Sequence, residues 1–106
     1  MAEMPDGMRV ETVYAVEISY GPDAAERRPA VRREHLTRII RLMAEGKVVE
    51  AGGYLDFSGA LLLVRAASEE EAIALVRDDV YVRSGVWLDD ARARAYGRVV
   101  TDANTK

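Results

Sequence analysis

The chemistry open to this chain is bounded by one histidine, no cysteine and 18 carboxylates in 106 residues. Without cysteine there are no disulfides, no thiolate metal ligands and no sulfur nucleophile. A zinc site would rest almost entirely on carboxylates, so no metal is expected. Neither GxGxxG nor GxxxxGK[ST] occurs, and no GxSxG elbow is present, so the Gly52-Gly53 pair is not a phosphate cradle. What remains is proton transfer, for which imidazole is the usual side chain near neutral pH. The single histidine is His35.

The spacing around His35 is informative. From about Pro29 to Glu45 the apolar residues recur with helical period, placing Val31, Leu36, Ile39, Ile40, Leu42 and Met43 on one side. His35 falls inside that stripe, and Arg32 lies on the same side one turn earlier. Arg33, Glu34, Thr37, Arg38, Arg41 and Glu45 fall on the opposite side. An inward histidine is either an acid–base group or a half-buried ring capping a carbonyl, and periodicity leaves both open. A second irregularity lies downstream. Ala72, Leu75 and Val76 form the apolar side of a later helix, and Asp79 continues that side if the helix runs one more turn. An inward carboxylate needs a partner, because an unpaired buried charge is costly; the alternative is that Asp78 and Asp79 end the helix in solvent. Tyr81 and Trp87 are candidates for a pocket wall or for packing.

These residues need a scaffold. Glu11 to Tyr20 alternates with period two and reads as a strand, ended by Gly21-Pro22-Asp23. The helix from Pro29 follows, with Gly46 as its stop. Lys47 to Leu55 reads as a second strand in which Gly52 and Gly53 suggest a bulge or a close approach. Ala60 to Ala66 is a third strand, apolar on both faces and therefore central. Ser68 and Glu71 form a capping box for the second helix, which runs to about Asp78. A last extended segment covers Val86 to about Val100. The order βαββαβ is ferredoxin-like: an α+β domain with a four-stranded antiparallel sheet and two helices on one face. Residues 10–100 form the domain, with 1–9 and 101–106 as tails.

Two helices cover one face of such a sheet, so a doubly apolar third strand calls for another layer. A second copy is the simplest one, giving a homodimer through the sheet face. The net charge of −3 offers no general attraction to nucleic acid or acidic membranes. The arginines are scattered among acids and read as solvated surface. No apolar run is longer than Ala60 to Val64, far short of the roughly 18 residues of a membrane span. With no apolar leader, a cytoplasmic location is expected.

The chain resembles the YCII-related (YciI-like) family of dimeric α/β-barrel proteins from about Tyr14 to Val100. The resemblance is carried by Arg32-Arg33-Glu34-His35-Leu36, by Glu45-Gly46-Lys47-Val48-Val49-Glu50-Ala51-Gly52, and by Asp79-Val80-Tyr81-Val82 with Gly85-Val86-Trp87. It implies an active-site pair of His35 and Asp79, the aspartate lying in a short Asp-Pro-aromatic motif whose aromatic is Tyr81. Val80 departs from the family's proline, which would stiffen the turn that aims the carboxylate. Related barrels include muconolactone-isomerase-like enzymes, cofactor-independent monooxygenases and heme-handling proteins, so fold alone does not name a reaction.

The expectation is a cofactor-independent enzyme of isomerase or lyase type acting on a small organic substrate. His35 is its acid–base group, Asp79 orients the imidazole, and Arg32 and Tyr81 bind an anionic group of the substrate. The competing expectations are a non-catalytic dimeric binding module and a cofactor-independent oxygenase.

Overall fold

The computed structural model describes residues 4–102. Its strands are β1 (Met8–Ser19), β2 (Val48–Gly53), β3 (Gly59–Val64) and β4 (Arg92–Thr101), and its helices are α1 (Ala24–Ala44), α2 (Glu69–Arg77) and the one-turn α3 (Val80–Arg83). The strands form one antiparallel sheet in the order β2-β3-β1-β4. This is the ferredoxin-like arrangement, and it makes β3 an interior strand.

Alternation along β1 sends Val16 and Ile18 to one face, where they meet Ala60, Leu62 and Val64 of β3. Ile39 and Leu42 of α1 and Ala72 and Val76 of α2 pack on that same face, so both long helices cover one side of the sheet. Leu61 and Leu63 occupy the opposite face and stay half-buried. The two faces of β3 therefore differ in cover, although both are apolar.

Several boundaries shift from the sequence reading. α1 starts at Ala24, and Pro29 lies inside it. The turn after β1 nucleates the helix early: Ala24 N–H donates to the Gly21 carbonyl at 3.2 Å and Arg27 N–H to that of Asp23 at 2.9 Å. Pro29 removes one donor near this end. On α1, His35, Ile39 and Leu42 are buried while Leu36, Ile40 and Met43 are exposed, and Arg38 is half-buried rather than outward. The irregularity in β2 lies at Val48/Glu50, not at the glycines. Gly53 instead accommodates a close approach, since a Cβ there would lie 2.5 Å from the Tyr20 hydroxyl.

The capping box of α2 is half as expected. Ser68 Oγ accepts from Glu71 N–H at 3.1 Å, but the Glu71 carboxylate accepts from Ala67 N–H, one residue further back. The segment Val86–Ala91 does not join β4; it makes a single bridge, Trp87 to Tyr20. A carboxylate takes the ladder's place there, as Asp90 Oδ1 accepts from Ser19 N–H at 2.9 Å. At the ends, Met8 and Arg9 pair with Thr101 and Val100, so strand pairing reaches into both expected tails. The rest of those tails, residues 1–3 and 103–106, lies outside the described residues. Among the described residues no helix is long and apolar enough to cross a membrane.

Candidate functional site

α1 carries Arg28, Arg32 and His35 at i, i+4 and i+7, a spacing that puts all three on one helix face. That face borders a cavity of about 340 Å³ between α1, the β2–β3 hairpin and the Tyr81–Trp87 segment. A volume of this size falls in the range of small-molecule sites.

His35 Nδ1 lies 2.8 Å from Asp79 Oδ1. Asp79 arrives there by a route different from the one expected. α2 stops at Arg77, and Asp79, with extended backbone (φ −83°, ψ 145°), is the N-cap of α3. Its side chain turns inward because it caps: Oδ1 also accepts from Tyr81 N–H at 2.9 Å. Val80 is then the first helical residue, the position where proline is tolerated best. The cap holds the turn without the ring. Oδ2 accepts from Arg38 Nη1 at 3.1 Å, and Arg38 Nη2 donates to the Leu75 carbonyl at 2.7 Å.

Asp79 is fully buried. Burial is the largest single influence on it and pushes its pKa up. The hydrogen bonds from His35, Tyr81 N–H and Arg38, with the charge of His35, outweigh burial and hold the carboxyl below its ordinary range. An ionised carboxylate only accepts, which assigns the proton of this contact to Nδ1 of His35. In the neutral ring Nε2 is then the acceptor, and it makes no hydrogen bond among the described residues.

Two rings hold the imidazole in place. Tyr81 stacks on it with centroids 3.7 Å apart and planes 9° from parallel. Trp87 stands perpendicular to both, 5.1 Å from His35 and 5.2 Å from Tyr81. Stacked and edge-on contacts of this kind are favourable beyond their buried area. The Tyr81 hydroxyl and Trp87 Nε1 are buried with no hydrogen-bond partner, an uncommon condition for buried polar atoms. Burial raises the Tyr81 phenol above its usual range, with Arg32 and Arg28 pulling the other way.

The structure thus brings together all four residues singled out in the sequence: His35 and Asp79 in contact, and Arg32 and Tyr81 on the cavity wall. It adds Arg38 and Arg28, which the sequence reading assigned to solvated surface. Their signal was spacing, since Arg38 follows His35 by three and Arg28 precedes Arg32 by four. Arg28 and Arg32 form no ion pair among the described residues, whereas most of the arginines there do. No three histidine, aspartate or glutamate side chains among the described residues gather as a metal site would need.

A family model for the YCII-related domain matches residues 12–91. An uncharacterised protein of Haemophilus influenzae is 30% identical over 87 residues, spanning 73% of this chain and 86% of its own. Among solved structures, 5-chloro-2-hydroxyhydroquinone dehydrochlorinase (TftG) from Burkholderia phenoliruptrix AC1100, in complex with 2,5-dihydroxybenzoquinone, superposes with a TM-score of 0.66. That likeness covers 79% of this chain and 92% of the other at 19% identity, and it shows a shared fold. The match of the domain model over most of the chain, with a relative at this identity, places the protein in a family: it belongs to the YCII-related family.

Proposed function

We propose that the protein is a small-molecule enzyme in which His35 transfers protons through Nε2. The observation that carries this reading is the state of the histidine. Nδ1 is tied to a buried, ionised Asp79 at 2.8 Å, and the ring borders the cavity. Asp79 fixes the tautomer and orientation and stabilises the imidazolium formed when Nε2 takes a proton, the role a carboxylate has in a catalytic triad. Tyr81, stacked on the same ring, favours the cation through its π face. Arg32 neutralises an anionic group of the substrate, and the Tyr81 hydroxyl beside it offers that group a hydrogen bond.

The reaction class that suits one acid–base group is isomerisation or elimination. A proton leaves carbon or oxygen at one position and is returned at another, or departs with a leaving group. The name of the TftG relative describes an elimination, and its bound molecule is a small hydroxylated ring. Lactones and halogenated hydroxyaromatics are therefore the compounds to try. The working unit is a homodimer joined through the open sheet face, where Leu61 and Leu63 are half-buried in the single chain.

The test is turnover of that panel by the wild type, His35→Ala and Asp79→Asn. Loss of general acid–base catalysis costs roughly 10²- to 10⁴-fold in rate, and both variants are expected to fall in that range. Turnover that survives both changes overturns the reading. The non-catalytic alternative called for His35 and Asp79 to stay apart, and their 2.8 Å contact weighs against it. Oxygen uptake with an electron-rich phenol would instead favour an oxygenase.

A further inference from the structure

Arg28 lies at the cavity wall with its guanidinium 4.9 Å from the centroid of the Phe57 ring. Phe57 in turn stacks on Tyr20, with centroids 5.2 Å apart and planes 28° from parallel. A guanidinium stacked on a ring uses its flat face, while its five N–H donors lie in the plane and point outward from the edge. Those of Arg28 meet no carboxylate among the described residues. The contact with the ring positions the side chain, and its N–H donors make no hydrogen bond among the described residues.

Phe57 reaches this position at a conformational cost. Its φ is +61°, and it is the one described residue other than glycine with positive φ. Bulky side chains rarely adopt this region, which suits glycine or asparagine. The turn itself does not require a phenylalanine: it is closed by backbone, with Phe57 N–H donating to the Tyr54 carbonyl and Tyr54 N–H to that of Gly59. The ring is also more than a third exposed, so core packing does not account for it. Among the described residues its ring contacts are with Tyr20 and Arg28.

We propose that Arg28, held beside Phe57, makes the bidentate contact to the substrate's anionic group, whose charge Arg32 helps to neutralise, and that this group is the carboxylate of a small organic molecule. The planar fork of a guanidinium matches the two oxygens of a carboxylate. Arg28 is seven residues before His35 on the same helix face, about two turns or roughly 10 Å along the axis. A carboxylate held at Arg28 thus leaves the carbon skeleton to extend past Arg32 toward Trp87 and His35 Nε2. Ile39, Ala51, Leu62 and Trp87 line the cavity there, apolar surface against which a hydrocarbon skeleton can pack. This assignment rests on reading the cavity as the active site, and it adds the class of substrate.

The experiment uses benzoate as the probe and benzamide as its uncharged counterpart. Trp87 is the sole tryptophan of the chain and lines the cavity, so its fluorescence reports occupancy. Benzoate is expected to change that fluorescence saturably, and benzamide to bind at least roughly tenfold more weakly. Arg28→Met is expected to weaken benzoate by roughly tenfold or more and leave benzamide unchanged. Arg28→Lys keeps the charge but not the fork and is expected to lie between. Phe57→Gly relieves the backbone, so its melting temperature is expected to hold or rise while benzoate affinity falls. The proposal is overturned by benzoate binding within twofold of wild type in Arg28→Met or Phe57→Gly. Equal affinities for benzoate and benzamide, or no saturation below about 100 mM, overturn it too. Benzoate recognition through Arg28 together with undiminished turnover in His35→Ala would sink the acid–base reading alone. The reverse pattern would sink the carboxylate assignment alone.

Discussion

At the scale of single residues, Asp79 is where stability and chemistry meet. One carboxylate caps α3, orients His35 and anchors Arg38. Its folded pKa lies below the ordinary 3.8, so the unfolded chain binds the proton more readily. Ionised Asp79 therefore adds stability that is fully present above the unfolded value and is lost as pH falls through the folded one. Replacing it with asparagine removes this linked contribution. Asp79→Asn is expected to be less stable than wild type by about 2 kcal/mol at neutral pH, from weaker hydrogen bonds to a group no longer charged. The gap should narrow as the pH drops below about 4. Urea melts of both proteins from pH 7 to 3 measure it. A gap independent of pH would mean that Asp79 acts through shape and not through charge. His35 and Asp79 stand out in the sequence as polar residues at the edge of apolar patterns, and the family resemblance is what singles them out as a pair. Arg38 does not stand out, because an arginine can sit at the edge of an apolar stripe and bend its long stem inward, which periodicity does not register.

At the scale of elements, the α2–α3 junction sets the site. The sequence predicts α2 to about Asp78, with Asp79 inward only if it ran one turn further; it stops at Arg77 because Asp79 accepts from Tyr81 N–H and starts a new turn. Asp79 does point inward, one of the two directions the sequence leaves open, but as the cap of α3 and not as a continuation of α2. Val80 occupies the first position of α3, whose N–H is unpaired in any helix. The ψ of 145° at Asp79 is the value a residue before proline prefers. Val80→Pro is therefore expected to stabilise the protein by about 0.4–1 kcal/mol, chiefly by restricting the unfolded chain. Calorimetry should show a rise of a few degrees in melting temperature. A fall would mean that the Val80 side chain matters more than its backbone. α1 carries a similar lesson. Reading Pro29 as its start omitted Ala24–Arg28, and with it the turn that brings Arg28 to the cavity.

At the scale of the whole molecule, the uncovered side of the sheet is the dominant feature. β1 and β4 pair from Met8↔Thr101 to Glu17↔Arg92, whereas β3 joins β1 only from Tyr14. The pair thus runs past the other strands as a two-stranded ribbon, consistent with overall extents of 49 × 26 × 24 Å. Such ribbons are marginal alone in water, and this one exposes Tyr96 on the same open face as Leu61 and Leu63. A second copy across the open face would cover both the ribbon and the Leu61–Leu63 stripe. Light scattering after size exclusion is expected to give twice the chain mass for the wild type. The double change Leu61→Glu and Leu63→Glu, which places charge on the open face of β3, is expected to give a monomer. A wild-type monomer at micromolar concentration would rule this assembly out.

By itself the sequence determined the order of elements, the ferredoxin-like pattern and the identity of the acid–base candidate. Period two and period 3.6 are local properties of the chain, and a lone histidine leaves no choice of imidazole. The sequence also bounded the chemistry through what it lacks, since no thiol or phosphate-binding loop competes with His35. Only the tertiary structure decided which groups meet. The 2.8 Å contact joins residues 44 apart in the chain, and Arg38 reaches the same carboxylate from 41 residues away. Whether Arg28 and Arg32 face acids or a cavity depends on where a hairpin some 25 residues downstream folds back. Spacing along a helix tells which side chains share a face. What that face meets is fixed by packing between distant elements, and there the candidate site is assembled.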